Sequence, residues 1–173
     1  HKPVSILCKG KNVKKDLIVV ADGVNSLWKK KVFENSDLRK ISQTAYRLLV
    51  SKTKLPDIFL QNDIKLFFDK GRHFVIYPIG YKGMVNFVFC KRESTILTNT
   101  WKESIPKEKF LQDFVLDDPL KECLRGIKRV YRWPILESIL PKTLEKKNVV
   151  LVGDAAHAML PYMAQGANKA LED

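Results

Sequence analysis

Gly153-Asp154-Ala155-Ala156-His157-Ala158-Met159-Leu160-Pro161-Tyr162-Met163-Ala164-Gln165-Gly166-Ala167-Asn168-Lys169-Ala170-Leu171-Glu172-Asp173 follows directly on the apolar run Val149-Val150-Leu151-Val152, which Asn148 opens. A continuously apolar run of that length reads as a strand, and it passes straight into a glycine and an acid. Gly153 lets the backbone pass close to a ligand. A carboxylate at the carboxyl end of a strand can accept hydrogen bonds from sugar hydroxyls, which makes Asp154 the candidate for that role. After a loop through Pro161, a helix is expected from near Gln165-Gly166. Its first amides, around Gly166, Ala167 and Asn168, would favour negative charge at the positive end of the helix dipole.

The start of the chain has the same grammar. Leu17-Ile18-Val19-Val20-Ala21 is apolar throughout, as a strand covered on both faces by helices would be, and runs into Asp22-Gly23. Ser26 can cap a short amphipathic helix over residues 27–33. Before it, Val4 to Cys8 is a second short strand, with the polar stretch Lys9 to Lys15 read as a turn between the two.

Between these ends the character changes. Ile64 to Phe68, Phe74 to Tyr77 and Met84 to Cys90 are rich in aromatic and β-branched residues, and Gly80-Tyr81-Lys82-Gly83 marks a hairpin joining the last two. Helical spacing returns over Lys107 to Val115, with Phe110, Leu111 and Phe114 on one face, and over Pro119 to Ile127. These are expected to be small helices flanking a sheet.

An apolar share of 45% is that of a globular chain rather than a disordered one. The formal charge of +12 would suit a polyanion, but the lysines are spread along the chain without the aromatic and glycine interleaving of single-strand binders. Solvated lysine is therefore expected, and no nucleic-acid partner. Cys8, Cys90 and Cys123 are far apart and odd in number, which fits neither a disulfide framework nor a zinc site; they are expected to be small buried residues. No run reaches the roughly 20 apolar residues of a membrane span. No stable membrane association is expected, and the location is cytoplasmic or another intracellular compartment. The chain starts at His1 and stops inside an expected helix, so it reads as a fragment whose N-terminus could carry an address.

With its Gly-Asp-Ala-Ala-His string followed by Pro161 and Ala164-Gln165-Gly166-Ala167-Asn168, the segment resembles the second FAD motif of the class A flavoprotein monooxygenases, the salicylate hydroxylase-like members above all. Asp22-Gly23-Val24-Asn25-Ser26-Leu27-Trp28-Lys29 resembles the same family's Asp-Gly motif and departs from it at Lys29, where the family has arginine. Weaker echoes lie at Ala45-Tyr46-Arg47, where Leu48 replaces a glycine, at Arg72-His73-Phe74-Val75-Ile76-Tyr77-Pro78, and at Trp133-Pro134. The resemblance covers nearly the whole chain.

The resemblance implies an α/β fold: part of a Rossmann-type FAD-binding domain, residues 1–40 and 141–173, interrupted over residues 41–140 by a mainly antiparallel β-sheet substrate domain. It implies that Asp154 binds the ribityl or ribose hydroxyls of FAD, with Gly153 beside it. Gly166, Ala167 and Asn168 would meet the pyrimidine edge, and Asp22 and Gly23 would serve the pyrophosphate. Pro161 would lie beside the reactive ring carbon, and Arg47 near the active site. His73 is a candidate proton acceptor for a phenol, since histidine titrates near neutral pH. His157 is expected to order the flavin loop.

The implied reaction is NADH- or NADPH-driven hydroxylation of a small phenolic or benzoate-type substrate by molecular oxygen, through a flavin hydroperoxide. The glycines nowhere take the Gly-x-Gly-x-x-Gly spacing with which the family begins, so half a cofactor site is present and weak FAD binding is expected. Two other readings stand beside this one: a non-catalytic remnant of such an enzyme, and a basic nucleic-acid-binding module with steep salt dependence.

Overall fold

The computed structural model describes residues 3–33, 37–80, 83–94, 102–114 and 116–173, with the side chains of Lys40 and Met163 left aside. In chain order the elements are β1 (Val4–Cys8), β2 (Lys11–Lys15), β3 (Ile18–Val20), α1 (Leu27–Val32), β4 (Leu38–Ser51), β5 (Lys65–Asp69), β6 (Arg72–Ile79) and β7 (Met84–Arg92). Then follow β8 (Glu103–Pro106), α2 (Lys107–Asp113), α3 (Asp118–Cys123), β9 (Arg129–Ser138), β10 (Glu145–Lys146), β11 (Val149–Leu151), α4 (Asp154–His157) and α5 (Gly166–Glu172). The chain divides into two compact units, one formed by His1–Ile41 with Leu136–Asp173, the other by Ser42–Ile135.

In the first unit β11 pairs in parallel with β3, Leu151 opposite Val20, and β10 adds an antiparallel edge to β11. Val20, Phe33, Val149, Leu151, Ala155 and Ala156 form its buried cluster, against which Trp28 and Val32 of α1 pack. The Ser26 cap holds: its Oγ accepts the Lys29 N–H at 3.0 Å. Three expectations are corrected here. The stretch Lys9 to Lys15 is a tight turn at Lys9 (φ 49) and Gly10 (φ 77) followed by β2, paired antiparallel with β1, because two positive-φ residues reverse the chain at once. Only one face of β3 is covered among the described residues, with Leu17 and Val19 exposed. Cys8 is exposed, since it sits on a two-stranded hairpin with no buried residue.

The second unit carries a six-stranded sheet in the order β5-β6-β7-β4-β9-β8. The β6–β7 hairpin runs in register from Arg72 opposite Lys91 to Ile79 opposite Met84, and the turn residues Tyr81 and Lys82 lie outside the described residues. One face is apolar at alternate positions: Tyr46, Leu48 and Val50 of β4, Val85, Phe87 and Phe89 of β7, and Ile76 of β6 are buried there. Phe110 and Phe114, on α2 and at its end, close over it. Phe110 lies 5.0 Å from Phe89 and 5.5 Å from Tyr46, in tilted and edge-on geometries that aromatic rings prefer. Val115, the expected last residue of that helix, lies outside the described residues. The helix expected over 119–127 is shorter than its periodicity suggested; α3 ends before Gly126, whose φ of 81 leaves the helical region.

Tyr46 is fully buried, yet its hydroxyl finds Asp113 at 2.9 Å, and Asp113 is paired with Lys91. Burial first, then the Asp113 bond, pushes the Tyr46 phenol well up. This tyrosine therefore works as a neutral donor that anchors β4 to the end of α2.

Candidate functional site

The parallel pair β3–β11 sets the geometry of the first unit. Val152 N–H donates to Val20 O at 3.0 Å, so the two strands end side by side and deliver Asp22-Gly23 and Gly153-Asp154 together. At Gly153 the backbone takes φ 58 and ψ −142, a conformation L-residues rarely adopt, which turns the strand into α4 in one step. The Asp154 side chain stands exposed at the first position of α4 and has no partner among the described residues. Asp22 is exposed too, but its carboxylate accepts the Leu27 N–H at 3.2 Å and thus caps α1, with Gly23 (φ 82) making the turn between.

Beyond α4 the chain passes Pro161, the first residue of a short 3-10 turn, then Ala164 in the left-handed region, and enters α5. No side chain caps α5: Gln165 holds the N-cap backbone position without a side-chain bond, leaving the amides of Gly166, Ala167 and Asn168 uncapped. A Cβ placed on Gly166 would meet nothing within 4 Å, so open space adjoins those amides.

Two further contacts hold this region, and the sequence reading missed them. Lys29, almost fully buried, donates from Nζ to Ala156 O at 2.9 Å, tying α1 to α4; burial lowers its ammonium pKa. The signal was available, because Lys29, Val32 and Phe33 share the inward face of α1 at i, i+3 and i+4 spacing. The second contact is a clasp. His157 Nε2 meets both Asp173 carboxylate oxygens at 2.7 and 2.8 Å, and the Gly153 N–H donates to the same carboxylate at 2.6 Å. Burial raises the Asp173 pKa, yet the Gly153 amide and the His157 ring outweigh it and hold the carboxyl below its usual range. His157 thus ties the end of α4 to the end of α5. Among the described residues no group of histidine, cysteine and acidic side chains could hold a metal ion, and no helix is long and apolar enough to cross a membrane.

In the second unit Arg47 and His73 lie on the sheet face opposite the aromatic core, since His73 pairs with Cys90, which pairs with Ala45, two residues from Arg47. They line separate cavities. His73 borders one of about 210 Å³ with Gln43, Phe68, Arg72 and Cys90. Burial lowers the His73 pKa, so its imidazole is neutral near pH 7. Arg47 borders a cavity of about 580 Å³ lined also by Lys102, Arg129, Tyr131 and Trp133. There the Arg47 guanidinium lies 5.8 Å from the Trp133 ring centre, and Lys102 Nζ lies 4.1 Å from that of Tyr131. Among the described residues no carboxylate lines it, so the cavity combines positive charge with flat aromatic walls.

A family model described as an FAD binding domain matches residues 8–173. The chain is 29% identical over 161 residues to 3-amino-4-hydroxybenzoate 2-monooxygenase of Streptomyces cremeus, covering 91% of this chain and 39% of that protein. It is 30% identical over 161 residues to 3-hydroxybenzoate 6-hydroxylase 2 of Aquipseudomonas alcaligenes, covering 90% and 48% respectively. A solved salicylate hydroxylase substrate complex superposes with a TM-score of 0.82 at 22% identity, over 98% of this chain and 46% of that one, which shows a shared fold. The chain thus spans less than half the length of these relatives.

Proposed function

The chain belongs to the FAD-binding domain family, and from that premise we propose that it is part of an NADH- or NADPH-driven monooxygenase that hydroxylates a small phenolic or benzoate-type aromatic with molecular oxygen. The observation that carries the proposal is the paired delivery of Asp22-Gly23 and Gly153-Asp154 by two parallel strands, with the Asp154 carboxylate left without a partner among the described residues. The residues fit FAD in this respect: a free acid suits sugar hydroxyls, and the uncapped amides beside open space at Gly166 suit an electron-rich ring edge. Bound there, FAD would supply the electron transfer and oxygen activation that no side chain can.

The chain's own residues have the remaining tasks. Asp154 holds the sugar tail and Gly153 clears the backbone around it. Gly166, Ala167 and Asn168 present N–H donors to the pyrimidine edge, while Asp22 and Gly23 serve the pyrophosphate side. Pro161, which opens the 3-10 turn before α5, would hold the loop backbone on the reactive side of a bound flavin. His73, neutral near pH 7, accepts the phenolic proton at a ring nitrogen, which makes the aromatic ring electron-rich for attack. Arg47 and Trp133 line the separate cavity, so their charge and ring face offer a second contact for an anionic aromatic and not part of the pose at His73.

The test is flavin content. Asp154 is exposed and has no hydrogen-bond or ion-pair partner among the described residues, so Asp154→Asn is expected to fold normally while losing a charge-assisted hydrogen bond, and with it roughly tenfold in FAD affinity. Equal flavin absorbance for wild type and variant after titration would remove Asp154 from the site.

A further inference from the structure

The β5 strand is an edge of the six-stranded sheet, with β6 as its only partner among the described residues. Edges are ordinarily blunted by charge, proline or a bulge because open backbone groups recruit other strands. Here the edge is apolar at its centre: Ile64 is 68% exposed, Leu66 55%, Phe67 36% and Phe68 78%. Ile58 and Leu60, just before it in sequence, are exposed as well. So large an apolar area on an open edge marks an interaction surface.

The hydrogen-bond phase of β5 follows from its hairpin. Asp69 pairs with Arg72 across the two-residue loop Lys70-Gly71, with Gly71 at φ 71. Such a loop closes on a hydrogen-bonded pair, so Lys65, Phe67 and Asp69 direct their backbone groups to β6, and Leu66 and Phe68 direct theirs outward. Two copies of β5 laid antiparallel about a two-fold axis through Phe67 place Leu66 opposite Phe68 of the other copy, so the outward groups meet in phase. The same register sets Phe67 against Phe67 and Lys65 against Asp69, once on each side of the axis. Sliding by two residues in either direction keeps the phase but sets Lys65 or Asp69 against Phe67. The segment Lys65-Leu66-Phe67-Phe68-Asp69 is therefore complementary to itself in one register. In the single chain Lys65 is held by Asp63 at 2.9 Å, which keeps its ammonium at the edge.

We propose that β5 is a homodimer interface: two copies of this chain join edge to edge, extending the sheet across a two-fold axis through Phe67. This goes beyond the flavin reading and does not depend on it.

The experiment is sedimentation velocity over a concentration series, with the wild type, Lys65→Asp, Asp69→Lys and an equimolar mixture of the two variants. Each single substitution converts both cross-strand pairs of a homodimer from attractive to repulsive, and about a tenfold rise in the dimer dissociation constant is expected. In the mixture, Asp at 65 faces Lys at 69 and Lys at 65 faces Asp at 69, so dimers are expected to return at wild-type strength. Circular dichroism matched to wild type shows that the variants fold. The proposal is overturned by a wild type that stays monomeric at all concentrations, by single variants that dimerise as well as wild type, or by a mixture that gains nothing. Slow amide exchange of Leu66 and Phe68 in a monomer would overturn it too, by showing that another segment covers the edge.

Discussion

Replacing Gly153 by alanine isolates the backbone device on which the nucleotide site rests. At φ 58 and ψ −142 an L-residue is strained, by about 2 kcal/mol. The added Cβ would lie 3.5 Å from the Ala170 Cβ, an ordinary contact, so strain accounts for the whole effect. That strain is roughly thirtyfold in the unfolding equilibrium. With an ordinary urea dependence the midpoint should fall by about 1 M. Trp28, packed on the cluster of the first unit, reports its unfolding by fluorescence. Gly166→Ala is the control. It opens α5 without a positive φ and has free space around it, so the same assay should show no loss and a gain of up to about 1 kcal/mol. An unchanged midpoint for Gly153→Ala, or an equal loss in the control, would refute the argument.

Burial lowers the Lys29 pKa below its unfolded value of 10.5, so between the two values the unfolded chain binds more protons and stability rises with pH; below that window both states are charged and the penalty is complete. Lys29→Met abolishes this slope and leaves Ala156 O without that donor, for a loss of about 1–3 kcal/mol. Urea midpoints from pH 7 upward should therefore show the wild type pulling ahead of the variant as pH rises, and a constant gap would contradict the desolvation of that ammonium. The thiols should separate by exposure. Cys90 and Cys123 are pushed up to about 11 by burial, whereas Cys8 is exposed, so an aromatic disulfide reagent near neutral pH should modify Cys8 alone in the native protein and all three cysteines in denaturant. Rapid native modification of Cys90 or Cys123 would count against the packing of their unit.

The Gly-Asp and Asp-Gly turns were legible because each chains a continuously apolar strand to a glycine and a carboxylate, a pattern that depends only on neighbours in sequence. The β5, β6 and β7 strands were legible for a similar reason, since their aromatic and β-branched residues are dense and their turns contain glycine. The long strand β4 was not, although it is the inner strand on which Arg47 sits. Its alternation is broken by Leu48-Leu49-Val50, where Leu49 is exposed and both neighbours are buried, and its polar first half looks like a loop. The inward face of Lys29 was legible from its spacing with Val32 and Phe33, but its bond to Ala156 O and the clasp on Asp173 were hidden, because each needs a partner brought close by the parallel pairing of β3 and β11 or by the return of α5. Pairing of that kind has no local signature. That Arg47 and His73 share one sheet face, and that they open into different cavities, needed the cross-strand register.

The parallel partnership of β3 with β11 also sets a timetable for synthesis. Ile18–Val20 leaves the ribosome on the order of ten seconds before Val149–Leu151 can meet it. For that interval Val20 and Phe33 lack the Val149, Leu151, Ala155 and Ala156 part of their cluster, while the hairpins β5–β6–β7, whose partners are translated one after another, can close on their own. A ribosome stalled ahead of Val149 would therefore hold a chain whose middle resists protease and whose leading segment is still open to it.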